Sequence, residues 1–297
     1  MRRKIILVFL LVLFLGVISY LLLQQQETNT IEKKEFSGES AYQYVLDQLK
    51  YGPRVPGSLS HQLTREYITR HLKEYGWNVE IQEKTVSGFQ IINIIGKRGD
   101  SGNITVIGAH YDSRIHATSE SSESAQLLPV PGANDGASGV AVLLELARIL
   151  PPVNNNQMWL VFFDAEDQGH IDNFEWIMGS RVFVQELKQK PLRAVIIDMI
   201  GDADLQIFRE HNSDIEMTDQ LWRTADELGF SSYFIDEEKY NILDDHIPFI
   251  EVGIPAVDII DFDYPWWHTL SDTADKVTPQ SLEIVGKTLI KWLETNP

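Results

Sequence analysis

Cysteine is absent from all 297 residues, which excludes disulfides, zinc knuckles, iron–sulfur ligation and a thiol nucleophile together. Any metal must therefore be held by His, Asp and Glu. Basic residues are also scarce: 25 Lys and Arg stand against 43 Asp and Glu, a formal net charge of −18. A nucleic-acid surface needs a basic stripe to neutralise phosphates, so no nucleic-acid partner is expected. The field of such a chain favours a substrate that carries a free amine. There is no internal repeat, and the one low-complexity stretch, Ser119 to Ser124, reads as a solvated surface segment.

One long apolar run is present. Arg2, Arg3 and Lys4 precede an uncharged apolar stretch from Ile5 to Leu23, and the composition turns polar at Gln24. Such a run can cross ~30 Å of hydrocarbon as a helix. It also lacks the small-residue cleavage site of a removed signal peptide. The expectation is a basic cytoplasmic flank over 1–4, a transmembrane anchor over 5–23, a flexible linker over 24–38 and a single catalytic domain over 39–297, placed outside the cytoplasm by the positive-inside rule. A cleaved signal with a secreted domain is the alternative.

Helical spacing of apolar residues recurs from Ala41 to Tyr51 and from Leu59 to Tyr75, separated by the turn residues Gly52 to Gly57. Trp77 to Val86 and Phe89 to Ile95 have the look of an antiparallel pair, and Ile104 to Ala109 that of a strand buried on both faces. Strand and helix then alternate: helix from Val140 to Leu150, strand from Met158 to Phe163, helix from Arg181 to Leu187, strand from Ala194 to Ile197, helix from Glu216 to Leu228, strand from Ala256 to Ile260, helix from Pro279 to Leu293. This order predicts an α/β fold with a mostly parallel or mixed sheet between helical layers.

In such sheets ligands gather at the carboxyl ends of the strands. His110 and Asp112 follow one predicted strand, Asp164, Glu166 and Asp167 a second, Asp198 a third, and Asp261, Asp263 and His268 a fourth, while Asp135 opens the helix after Gly136. A lone His or Asp there is usually a turn or cap residue. Several on one rim, without thiolates, suit zinc in a catalytic site. Of two adjacent acids leaving a strand, one can ligate while the other carries protons, as Glu166 beside Asp167 would allow.

His110-Tyr111-Asp112-Ser113, Gly132 to Gly139, Phe162 to Glu166, Gly179-Ser180-Arg181 and Trp267-His268-Thr269 together resemble the M28 zinc peptidase superfamily, over about residues 40 to 295. That family holds both aminopeptidases and animal-type glutaminyl cyclases. The resemblance implies an aminopeptidase-like three-layer α/β/α fold and an enzyme acting on peptide or protein N-termini. It also implies Asp135, Asp167 and His268 at a first zinc ion, with His110 and Asp198 at a second metal or in a hydrogen-bond network, and Glu166 as general base or acid. Where this chain has Asp167 the family usually has Glu, a shorter reach. Asp244-Asp245-His246-Ile247-Pro248-Phe249 resembles the cyclase motif, which would add Asp244 to the catalytic network beside Asp198, and Trp267 matches a tryptophan that walls the cyclase pocket. Glutaminyl-peptide cyclotransferase is thus the favoured expectation, a two-metal aminopeptidase the alternative, and a non-catalytic ectodomain the third. His246 is read as structural, Arg54 as a fold-stabilising loop residue, and His61 receives no role.

Overall fold

The computed structural model describes residues 35–152 and 155–296. Serine caps set the first two helices. Ser37 accepts the Ser40 N–H at the start of α1 (Gly38–Leu49), and Ser58 accepts the His61 N–H at the start of α2 (Leu59–Glu74). Six strands then build the main sheet: β1 (Asn78–Val86), β2 (Phe89–Arg98), β3 (Asn103–His110), β4 (Asn156–Phe163), β5 (Arg193–Asp198) and, after two short strands, β8 (Ala256–Ile260). Their spatial order is β1-β2-β4-β3-β5-β8. The β1, β2 and β4 pairings are antiparallel, while β4, β3, β5 and β8 run parallel. The short strands β6 (Ile207–Glu210) and β7 (Phe234–Tyr240) pair in parallel as a separate ribbon.

Period-two alternation within the parallel strands divides the core. Ile107, Ala109, Val195, Ile197, Val257 and Ile259 face one layer, with α1, α4 (Ala137–Ile149), α6 (Ile215–Glu227) and α8 (Pro279–Thr295). Ile104, Val106, Ile196 and Ala256 face the other, against Phe183 of α5 (Met178–Gln185) and Phe249 of α7 (Ile247–Glu251). The architecture is a three-layer α/β/α sandwich on a mixed sheet. Its parallel core brings the carboxyl ends at His110, Phe163, Asp198 and Ile260 to one rim.

The expected membrane anchor is corrected. Among the described residues no helix is long and apolar enough to cross a membrane. The longest, α8, has 17 residues, short of the ~20 apolar residues a span needs, and Lys287 and Lys291 lie on its length. The membrane as a partner and a membrane-anchored localisation have no helix among the described residues to rest on. Residues 5–23, on which the expectation rested, lie outside the described residues. Phe36 is buried, and a Cβ on Gly286 would sit 2.2 Å from its ring.

A loop arginine and a helix histidine near it support the rim from below. Arg54 is fully buried and donates to three main-chain carbonyls, from Nε to Tyr111 (3.0 Å), from Nη1 to Pro131 (2.9 Å) and from Nη2 to Gly132 (2.5 Å). It ties the loop after β3 to the loop before α4. His61, also buried, sets Nε2 2.8 Å from Asp164 Oδ1 and stacks on Tyr111 at 4.8 Å. Replacing Arg54 by Met removes its donors from all three carbonyls, of which Gly132 keeps only the 3.3 Å bond from the Ala137 N–H, and urea unfolding is expected to report a loss of about 3 kcal/mol with an unchanged slope. A change within experimental error would mean that the guanidinium does not hold these loops.

Candidate active site

Two carboxylates shape the rim before any chemistry is considered. Asp112 accepts the N–H groups of Glu166 (3.1 Å) and Asp167 (3.3 Å) and the side-chain amide of Gln168 (2.9 Å), fastening the turn after β4 to the end of β3. Ala165 takes a positive φ of 50° in that turn. Asp272 accepts the N–H groups of Asn134 (2.8 Å) and Asp135 (3.2 Å) and the Tyr264 hydroxyl (2.7 Å), fastening the entrance of α4 to the segment after His268. Glycine is required next to Asp135: a Cβ on Gly136 would lie 2.4 Å from His110 Nε2.

The predicted ligands converge. His110 Nε2 lies 3.1 Å from Asp135 Oδ1 and 3.1 Å from Asp198 Oδ1. His268 Nε2 lies 2.8 Å from Asp167 Oδ1 and 3.9 Å from Asp135 Oδ2. Two triads that can hold a metal ion result, His110–Asp135–Asp198 and Asp135–Asp167–His268, sharing Asp135, with the ligand atoms of each within 4.8 Å of one another. The shorter Asp167 therefore does reach its histidine. Arg114 supports it, donating from Nη1 to the Asp167 main-chain oxygen (2.8 Å) and to Oδ1 (3.3 Å). A third buried triad, Asp244–His246–Asp258, lies behind these.

The two triads are unequal, which bears on what they can bind. In the first, His110 Nε2 is hydrogen-bonded to Asp198 Oδ1, an atom that also accepts the Met199 N–H at 2.8 Å. In the second, His268 Nε2 is likewise hydrogen-bonded to Asp167 Oδ1 at 2.8 Å, but Asp135 Oδ2 and Asp167 Oδ2 are buried with no hydrogen-bond donor. Buried carboxylate oxygens without donors are costly unless a cation meets them. The oxygen and imidazole donor set suits a divalent ion of zinc's class. Burial is the largest influence on every acid here. It pushes Glu166 well above the ordinary carboxylate range, helped by Asp244, Asp167 and Asp245 and opposed by His110, and it raises Asp198 to about 7. Burial alone would lower His110, but Asp198, Asp112 and Asp135 outweigh it and hold the imidazole well above its usual value.

Glu166 and the second triad line a cavity of about 240 Å³ together with Asp198, Asp244 and Trp267. The Trp267 ring stacks on the His268 imidazole at 3.7 Å, and Trp176 lies parallel to it at 6.1 Å with an interplanar angle of 7°. Tyr240, Ile242, Ile260 and Phe262 complete the wall. Trp176 was not singled out in the sequence, because the stretch from His170 to Ile177 has no periodic pattern and four residues of positive φ. Arg114, Asp112 and Asp272 were missed as supports for the same kind of reason, being loop residues whose partners lie far along the chain. Arg114→Gln is expected to weaken metal binding about 10- to 100-fold in a chelator competition, as loss of an outer hydrogen bond to a ligand does. Unchanged affinity would free Asp167 from any need of Arg114.

Comparison with known proteins agrees with this geometry. Residues 93–293 match Peptidase family M28. The chain is 30% identical to the crystal structure of Porphyromonas gingivalis glutaminyl cyclase, covering 88% of this chain and 99% of that one with a TM-score of 0.83. It is 26% identical over 313 residues to the glutaminyl-peptide cyclotransferase of Drosophila melanogaster, 90% of this chain and 84% of that protein. It is also 28% identical over 214 residues to aminopeptidase YwaD of Bacillus subtilis, 65% of this chain and 42% of that protein. The chain spans less than half the length of the first two curated relatives it matches, 42% of each. With sheet order, strand-end residues and the matched span in agreement, the chain belongs to peptidase family M28.

Proposed function

We propose that this enzyme is a zinc-dependent glutaminyl-peptide cyclotransferase, which closes the N-terminal glutamine of a peptide or protein to pyroglutamate and releases ammonia. The observation that carries this reading is the inequality of the two triads. Each triad has its own histidine–carboxylate hydrogen bond, His110 Nε2 to Asp198 Oδ1 and His268 Nε2 to Asp167 Oδ1, but the two buried carboxylate oxygens without a donor, Asp135 Oδ2 and Asp167 Oδ2, both belong to Asp135–Asp167–His268 and stand open to a cation. One ion site beside one network fits a reaction that consumes no water.

In this reading Asp135, Asp167 and His268 hold the zinc, which when bound polarises the side-chain carbonyl of the glutamine. Glu166 accepts a proton from the α-amine as its nitrogen bonds to the side-chain carbonyl carbon. It then delivers that proton to the amide nitrogen as the old C–N bond breaks, so ammonia departs and a five-membered lactam remains. Burial suits Glu166 to both halves of this task, since it disfavours the charged form and makes the carboxyl a willing donor after it has served as acceptor. His110, Asp198 and Asp244 form the charged surround of Glu166. The cavity admits one side chain between aromatic walls, with Trp267 and Trp176 stacked around His268.

A second reading has its own observation. Asp135 belongs to both triads, the placement that a two-metal aminopeptidase needs for a bridging ligand. One preparation decides between them. Ammonia release with the matching mass loss from a Gln-initiated peptide is expected, without liberation of a free amino acid from a Leu-initiated one. The reverse result would establish the hydrolase. Absence of turnover and of bound metal would support a non-catalytic domain. Glu166→Gln is expected to lower kcat about 1,000-fold while leaving metal content unchanged, because a proton carrier is lost and no ligand is. Wild-type turnover in that variant would remove Glu166 from this role.

A further inference from the structure

Behind Asp244 lies a set of buried ionisable groups that no step above uses. Glu210 ends β6, His246 precedes α7, and Asp258 sits in β8 in register with Ile196, two residues before Asp198. Their exposures are 4% for Glu210, 3% for Asp244, 0% for His246 and 1% for Asp258. Ligand-type atoms of Asp244, His246 and Asp258 lie within 4.8 Å of one another. His246 Nε2 is 3.2 Å from Glu210 Oε2, and Nδ1 is 3.6 Å from Asp258 Oδ2. Among the described residues no Lys or Arg forms an ion pair with any of the four.

Charge must be balanced inside this group, because isolated charges this deep are prohibitively costly. Glu210 is a committed anion. It accepts the N–H groups of Asn212 (2.8 Å), Ser213 (2.8 Å) and Ile242 (3.0 Å), and although burial opposes it, His246 and these donors bring its carboxyl down to about 2. His246 Nε2 faces Glu210 at 3.2 Å, although neither ring nitrogen makes a hydrogen bond of good geometry, and Asp244 and Asp258 are left on the other side of the ring. Asp244 Oδ1 accepts the Asp245 N–H at 2.5 Å, whereas Asp244 Oδ2 and both Asp258 oxygens have no donor. Two buried carboxylates with oxygens within 4.8 Å of each other, and no Lys or Arg among the described residues paired with them, do not both ionise, so one of them carries a proton. Asp244 keeps the Asp245 N–H as a donor to its charge and Asp258 has none, which assigns the proton to Asp258; burial, then the charges of Asp244, Asp198 and Glu210, push its carboxyl in the same direction.

We propose that Asp258 is a positioning residue that, as a neutral acid, donates a hydrogen bond to Asp244 Oδ2, with the Glu210–His246 pair bracing it from behind, so that Asp244 is held in one orientation on the cavity wall beside Glu166. The part assigned to Asp244 in turnover rests on the cyclotransferase reading; the protonated Asp258 does not.

The amide of Asn is a permanently neutral donor of the same shape, so Asp258→Asn and Asp258→Ala separate a donor from a charge. Asp258→Asn is expected to keep kcat within about threefold of wild type. Asp258→Ala is expected to lower kcat about 30-fold, the worth of one buried hydrogen bond, with KM and metal content unchanged. If the alanine variant does not fold, Asp258→Val, also without a donor, gives the same comparison. An infrared difference spectrum, wild type minus Asp258→Asn, should show a carboxylic-acid C=O band. That band is read without turnover, so an enzyme inert on Gln-initiated peptides would refute the functional reading while still deciding this one. Absence of the band overturns the proposal. So does an Asp258→Asn variant as impaired as the alanine one, and loss of one metal equivalent in Asp258→Asn would instead place a cation in the cluster.

Discussion

Acidic side chains crowd the carboxyl ends of a parallel sheet with too little positive charge to balance them, and the rest of the site follows from how that imbalance is met. Three solutions coexist within one rim. Asp112 and Asp272 are satisfied by main-chain N–H groups and so become structural, fixing the loops that carry Glu166, Asp167 and Asp135. Asp198 is met by the His110 imidazole. Asp135 and Asp167 keep oxygens that nothing in the protein satisfies, and these mark the place for a cation. Asp244 and Asp258 meet the same demand with a shared proton.

The scaffold behind this rim is stiff where the chemistry needs it. Asp135 stands at the mouth of α4, with no room for a side chain at Gly136 beside His110. His268 is stacked between Trp267 and Trp176, which fixes its ring plane while its Nε2 faces Asp135 and Asp167. Arg54 and Arg114 act as buried clamps on main-chain oxygens rather than as charges offered to substrate. In a chain so acidic, both guanidiniums are drawn inward to the crowded end of the sheet.

Much of this was legible in the amino-acid order, for reasons that also explain what was not. Buried parallel strands are continuous apolar runs, so Ile104 to Ala109, Met158 to Phe163 and Ala256 to Ile260 announced themselves, and the polar residues just beyond them supplied His110, Glu166, Asp167 and Asp198. The ribbon of β6 and β7 was missed: Ile207–Glu210 is only four residues long, and Phe234–Tyr240 is mostly exposed and charged, with no apolar alternation to betray a strand. The five-residue helix Ile247–Glu251 was likewise too short for a periodic signal. Asp258 escaped notice because it lies inside an apolar run, where sequence shows a core strand and only packing shows that the carboxyl meets Asp244. The membrane-spanning helix was argued from composition alone, and no described helix has the length or apolarity for it.

The central claim is that buried acids from distant parts of the chain leave one cation site, at Asp135, Asp167 and His268, beside the hydrogen-bonded pair of His110 and Asp198. The most direct test is anomalous diffraction at the zinc edge from crystals of the full chain grown with zinc. A single strong peak within ligand distance of Asp135, Asp167 and His268 is predicted. No peak there, or a second of equal height between His110 and Asp198, would contradict the account.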